Sequence, residues 1–113
     1  MESRPKRIVI YTTPDGKKPF SAWFHGLKDK NQQRRVVERI DRVEEGNYGD
    51  YKSIGDGILE LRFKIGLRVY FAEKKDVIVL LFCGGDKKTQ SKDIAKAKEY
   101  LKEFENRYEE IES

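Results

Sequence analysis

Two short stretches of this sequence set charged or polar residues at alternate positions. From Ile58 to Lys64, Glu60, Arg62 and Lys64 alternate with Leu59, Leu61 and Phe63; from Arg68 to Ala72, Arg68 and Tyr70 alternate with Val69 and Phe71. A period of two is the signature of a strand with unlike faces. Two such strands joined by a short turn bring Arg62, Lys64, Arg68 and Tyr70 onto one face. Lys87 and Lys88 follow the next apolar run, where a loop can swing them over that face. Guanidinium groups bind phosphate through paired hydrogen bonds, and ammonium groups act as mobile point charges. Several of them converging on one phosphate also stabilise the added charge of a pentacoordinate transition state. RNA carries its own nucleophile, the 2′-hydroxyl, so a strand-cleaving site of this kind needs neither metal nor nucleophilic side chain. The plainer alternative is a solvated polar sheet face, with Tyr70 covering part of it.

The elements that would hold these residues can be read along the chain. Arg7–Thr12 is β-branched and aromatic and ends at the turn Thr13-Pro14-Asp15-Gly16, so it predicts a first strand. Pro19 suits the first turn of a helix whose apolar edge is Phe20, Trp23, Phe24 and Leu27. A second helix is expected from about Asp29 to Glu45, with Val36, Val37, Ile40 and Val43 inward and Gly46 as its C-terminal cap. Tyr48–Gly57 reads as a loop. Three strands follow, at about Ile58–Lys64, Arg68–Ala72 and Val77–Cys83, with Glu73-Lys74-Lys75-Asp76 as the second turn. For the first turn, a three-residue loop Ile65-Gly66-Leu67 sets Lys64 opposite Arg68 and Arg62 opposite Tyr70, which segregates the faces cleanly. Val77–Phe82 is apolar on both faces and belongs inside the sheet. Ile94, Ala97, Leu101, Phe104, Tyr108 and Ile111 mark a final helix, capped by Thr89 or Ser91 with Asp93 in its first turn. The order β-α-α-β-β-β-α predicts an α+β domain, helices on a largely antiparallel sheet.

Other candidates carry less. His25 reads as a surface histidine and Cys83 as a small core residue. Gly84-Gly85 reads as turn geometry, since no phosphate-loop spacing surrounds it. Arg35, Arg39 and Arg42 share a helical stripe that reads as a solvated face, or as a hold for an acidic partner peptide.

Length and composition bound the rest. At 113 residues the chain is one domain, 1–113, and 29 residues are Leu, Ile, Val or Phe, enough to fold. One cysteine excludes an internal disulfide, and a single histidine argues against a His-based metal site; no metal or cofactor is expected. The longest apolar run, Val77–Cys83, is too short to span a bilayer, and the charged N-terminus lacks a secretory signal, so a cytoplasmic protein with no membrane role is expected. The net charge is +4, but Ile58–Lys98 carries ten basic against five acidic residues, and Glu99–Ser113 two against six. A basic middle and an acidic tail point to a surface for polyanions.

The run GILELRF, then IGLRVYF, then VIVLLFCGGDKKTQSKDIAKAKEY, resembles the phage-derived addiction module killer branch of the RelE/ParE toxin superfamily, which includes HigB-like toxins. Pro19-Phe20, Trp23-Phe24 and the stretch EEGNYGDYKSIGDGILELR fit the same branch. The resemblance implies a RelE-like fold and the toxin of a type II toxin–antitoxin pair. In relatives of RelE and HigB the activity is ribosome-dependent mRNA cleavage by 2′-OH attack, leaving a 2′,3′-cyclic phosphate. The implied partners are the ribosome with its mRNA and a cognate antitoxin from the neighbouring gene, of helix-turn-helix type. Operator DNA is reached only through that antitoxin. Carried onto this chain, the resemblance assigns catalytic roles to Arg62, Arg68 and Lys87, and RNA contacts to Lys64, Tyr70, Lys88 and Lys92. Glu60 stands where RelE-type enzymes place a strand lysine, and the general base is open among Tyr70, Glu60 and Asp86. The ParE branch shares the fold and poisons gyrase, so a gyrase-directed or other protein-binding toxin is the alternative, as is an inactive co-repressor of the antitoxin.

Overall fold

A computed structural model of the chain describes residues 5–75 and 78–112, with side chains described as far as Tyr108. Asp76, Val77 and Ile111, each assigned a place above, lie outside the described residues or side chains. In chain order the elements are β1 (Arg7–Ile10), α1 (Pro19–Gly26), α2 (Lys30–Glu44), β2 (Tyr51–Ser53), β3 (Leu59–Arg62), β4 (Leu67–Lys74), β5 (Ile78–Asp86) and α3 (Gln90–Glu112). The local signals act as their chemistry requires. Pro19 opens α1, and the Asp29 carboxylate accepts from the Asn31 amide at 2.8 Å to cap α2. At the other end of α2, Gly46 takes a φ of +91°; its amide bonds Val43 O and the Asn47 amide bonds Arg42 O, a Schellman cap.

The strands form one five-stranded sheet in the order β1-β5-β4-β3-β2. β1 runs parallel to β5 and every other pair is antiparallel, giving the expected α+β class. β5 lies inside the sheet, as its two apolar faces require. Phe20 of α1 and Val36 and Val43 of α2 join Leu61, Val69 and Phe71 in one core. Ala97 and Leu101 of α3 join Tyr70, Leu80 and Phe82 in a second core on the opposite face.

That second core corrects the expectation of an open polar face. α3 lies over it, and Tyr70 and Arg68 keep only 0% and 7% of their surface exposed. The apolar stripe of α3 needs a sheet face to cover it, and only this one is left once α1 and α2 occupy the other.

Three local readings also change. The β3–β4 loop has three residues but begins one earlier: Arg62 faces Arg68 and the Phe63 amide donates to Leu67 O at 3.1 Å, leaving Lys64-Ile65-Gly66 as the loop. Gly66 has a φ of +95°, the left-handed conformation that the third residue of such a loop adopts. The residue opposite Arg68 moves by two rather than one, so the division of faces survives. Within the expected loop Tyr48–Gly57, Tyr51–Ser53 pairs with β3 as an exposed edge strand too short to show a pattern. Val37, read as inward, is 46% exposed, because the stripe Val36, Ile40, Val43 already fills the face of α2 toward the sheet.

Gly84-Gly85 is not a turn. Both residues lie in β5, whose pairing with β4 continues through them to Asp86. The pair lets two helices approach the sheet. A Cβ on Gly84 would fall 2.3 Å from the Trp23 indole of α1, and one on Gly85 would fall 1.8 Å from the Asp93 carboxylate of α3. The rigid indole cannot yield as a carboxylate can. Gly84→Ala is therefore expected to lower the unfolding free energy by about 2–3 kcal/mol, the upper range for overpacking, which urea denaturation would measure.

Candidate functional site

The pairing of three strands aligns the charged residues in two rows. Arg62 of β3 faces Arg68 of β4, which faces Gly85 of β5; one step along, Glu60 faces Tyr70, which faces Cys83. Glu60 is 1% exposed and sits at the centre of a polar cluster. Its Oε2 accepts from the Tyr70 hydroxyl at 3.0 Å and from Gln90 Nε2, at the head of α3, at 2.8 Å. Arg62 Nε lies 3.5 Å from Oε1 and Arg68 Nε 3.9 Å from Oε2. A carboxylate removed from water needs such partners, because an unpaired buried charge costs several kcal/mol. Glu60 thereby ties two guanidinium groups, one deep and one at the surface, to a fixed point.

The two arginines differ in access. The Arg62 side chain is 37% exposed, whereas that of Arg68 is 9% exposed. Arg68 donates to Leu67 O at 3.3 Å and its buried Nε makes no hydrogen bond. Burial, then the hydrogen bond and charge of Glu60, hold the Tyr70 hydroxyl well above its ordinary pKa. Tyr70 is therefore a permanent donor to Glu60 at neutral pH. It has no exposed surface, so the expected RNA contact is replaced by a supporting one. Tyr70→Phe is expected to cost about 1.5–3 kcal/mol, the value of a hydrogen bond to a charged group, as chemical denaturation would show.

The lysines lie on neighbouring elements rather than in this cluster. Lys87, Lys88 and Lys92 are exposed on the β5–α3 connection and the first turn of α3. Asp86 shapes that connection: its Oδ1 accepts from the amides of Lys88 at 2.8 Å and Thr89 at 3.2 Å. Thr89 in turn bonds the Asp93 carboxylate, which holds the start of α3 against Gly85. Lys64 departs from the group. As a loop residue it lines a groove with Arg35, Arg39, Arg42 and Ile65, beside α2. The structure thus brings Arg62, Arg68 and Tyr70 together, sets Lys87, Lys88 and Lys92 beyond the adjoining strand end, and puts Lys64 elsewhere. Gln90 was missed, since nothing in the sequence pairs a helix-start glutamine with a residue thirty positions earlier.

The weaker candidates resolve simply. His25 is exposed, and the buried Cys83 thiol is pushed up to about 12 by burial and the nearby Asp93 charge. Arg39 is not a solvated stripe member. It donates to the carbonyls of Tyr48, Asp50 and Arg62, pinning α2 to the backbone around β2 and β3. Among the described residues no group of three or more His, Cys, Asp or Glu is placed to hold a metal, and no helix is long and apolar enough to cross a membrane.

Residues 22–104 match the model of the family described as phage derived protein Gp49-like (DUF891). An uncharacterized protein of Haemophilus influenzae is 47% identical over 81 residues, which cover 70% of this chain and 82% of that protein. The matched segment of the family model runs from α1 to α3 and includes the whole Glu60 cluster. The agreement reaches the phage-derived part of the resemblance seen in the sequence: the chain belongs to the Gp49-like family of phage-derived proteins.

Proposed function

We propose that this protein is the toxin of a type II toxin–antitoxin pair, of RelE-like fold and HigB-like type, which inhibits translation in the cytoplasm by cutting mRNA on the ribosome. The observation that carries the reading is the Glu60-held arginine pair with accessible Arg62, to which Gln90 ties the segment that carries exposed Lys87, Lys88 and Lys92. Two anchored guanidiniums beside mobile ammonium groups suit a phosphate that gains charge in its transition state. In the proposed step the 2′-oxygen forms a bond to the adjacent phosphorus and the P–O5′ bond breaks. The products are a 2′,3′-cyclic phosphate and a 5′-hydroxyl. Arg62 touches the phosphate, Lys87 stands at the leaving side, where the departing 5′-oxygen takes a proton from solvent, and Arg68 adds charge from beneath. A cognate antitoxin, from the neighbouring gene, would neutralise the toxin.

The proton of the 2′-hydroxyl needs an acceptor, and burial sorts the three candidates. Tyr70 is 0% and Glu60 1% exposed, whereas Asp86 is open to solvent at the end of β5. Asp86 is the general base in this reading. Asp86→Asn keeps an oxygen for the Lys88 and Thr89 amides and is expected to slow cleavage about 100-fold, which the rate of mRNA cutting on isolated ribosomes would measure.

The reading itself is tested by inducing the chain without its neighbouring gene and mapping the 5′ ends of cellular mRNA. Cuts inside translated codons, absent with Arg62→Ala, are expected. Growth arrest with intact transcripts would overturn the nuclease and point to gyrase or another protein target. Absence of arrest would overturn the toxin reading.

A further inference from the structure

We infer that the groove between α2 and the β3–β4 loop is a second RNA-binding surface, which grips the phosphate backbone away from the Glu60 cluster; the choice of RNA rests on the function proposed above. The groove encloses about 250 Å³ and is lined by Arg35, Glu38, Arg39, Arg42, Phe63, Lys64 and Ile65. Four basic side chains face one acidic one. Arg35, Arg42 and Lys64 are exposed, and among the described residues none of them lies within ion-pair distance of a carboxylate.

The cluster is built rather than accidental. Arg39 sits at its centre, its Cζ 5.1 Å from the centre of the Phe63 ring, held by hydrogen bonds to three backbone carbonyls at 2.6–2.9 Å. Gly49 leaves the room for it: a Cβ there would meet the guanidinium at 3.1 Å. Fixing one positive charge in place and leaving Arg42 and Arg35 beside it maintains like-charge repulsion that an anion relieves. Arg39 also joins the groove to the proposed cleavage site, because one of the carbonyls it holds belongs to Arg62. A strand lying along the groove would leave it at the Arg62 end of β3. Guanidiniums spaced along one helix face match successive phosphates of a flexible single strand.

The test is the binding of a 2′-O-methyl RNA of roughly 16 nucleotides, which spans a single-strand site and lacks the nucleophile for cleavage. Anisotropy titrations of the purified chain are run at several salt concentrations. The double variant Arg35→Ala/Arg42→Ala is expected to bind about tenfold more weakly and to lower the salt slope by about 1.4, roughly 0.7 for each phosphate no longer neutralised. Glu38→Gln, which removes the acidic residue of the groove, is expected to tighten binding a few-fold. All three positions tested are exposed, and a circular dichroism melt checks that each variant folds. Equal affinity and slope in parent and double variant would overturn the inference, leaving the groove to an acidic protein segment. So would a Glu38→Gln variant that binds no tighter. Because this RNA cannot be cut, failure of the nuclease reading leaves the result of this measurement intact.

Discussion

Arg62→Ala is expected to slow the proposed mRNA cleavage by about 10²–10³-fold, the usual loss when one preorganised transition-state donor is removed. The same change is expected to cost no more than about 1 kcal/mol of stability, since the Arg62–Glu60 pair is partly exposed and screened by solvent. After the substitution Glu60 still has Tyr70, Gln90 and Arg68 as partners. This separation of activity from stability makes Arg62, rather than Arg68, the informative position. Arg68 is 7% exposed, and its removal would disturb the packing of its strand under α3 as well as the charge at the phosphate. Mapping of 5′ ends and a thermal melt on the same variant decide the matter. Full cleavage by a folded Arg62→Ala protein would remove Arg62 from the site.

Glu60→Ala is expected to act in the opposite sense, on stability first. Removing one partner of a buried ion pair leaves the other charge uncompensated, a loss of about 3–5 kcal/mol. In a domain of this size that lowers the midpoint of thermal unfolding by more than about 10 °C. Here the orphaned group is Arg68, whose Nε already lacks a hydrogen bond, together with the Tyr70 hydroxyl and the Gln90 amide. Glu60→Gln retains an acceptor for Tyr70 and Gln90 but loses the charge, so its melting point should fall between those of Glu60→Ala and the parent. A Glu60→Ala protein as stable as the parent would show that the cluster contributes no net stability.

The resemblance seen in the sequence placed a lysine of RelE-type enzymes at position 60, and the structure shows what the acidic residue does there. It cannot touch a substrate. It converts two strand arginines into a fixed pair, and it uses Gln90 to lock the head of α3 onto the same point. The loop with Lys87 and Lys88 is set between that head and the end of β5. Substitutions in the Glu60 cluster therefore report on packing and chemistry together unless, as with Arg62, the side chain reaches solvent.

How much could be read in advance followed from the range of the forces involved. Pro19, Gly46 and the two-residue alternation in β3 and β4 act over a few residues, and each produced the element expected of it. Face parity was likewise legible, because a strand can slip by two residues without exchanging its faces. The exact register was missed because Gly66 was placed in the middle of its loop instead of at the end. Tyr51–Ser53 was missed because an exposed three-residue edge strand is made by its neighbour, not by its own pattern.

The sequence by itself determined the α+β class, the central place of β5, and the grouping of Arg62, Arg68 and Tyr70 on one face, all consequences of local periodicity. Only the tertiary structure decided which of those side chains stay in contact with water. α3 comes from the far end of the chain and covers that face, since its apolar stripe has nowhere else to be buried. That burial turns Tyr70 and Glu60 from surface candidates into the supports of Arg62, while the register of the β3–β4 turn puts Lys64 in the loop and so in a different groove. Exposure depends on what packs overhead, and alternation along a strand carries no information about that.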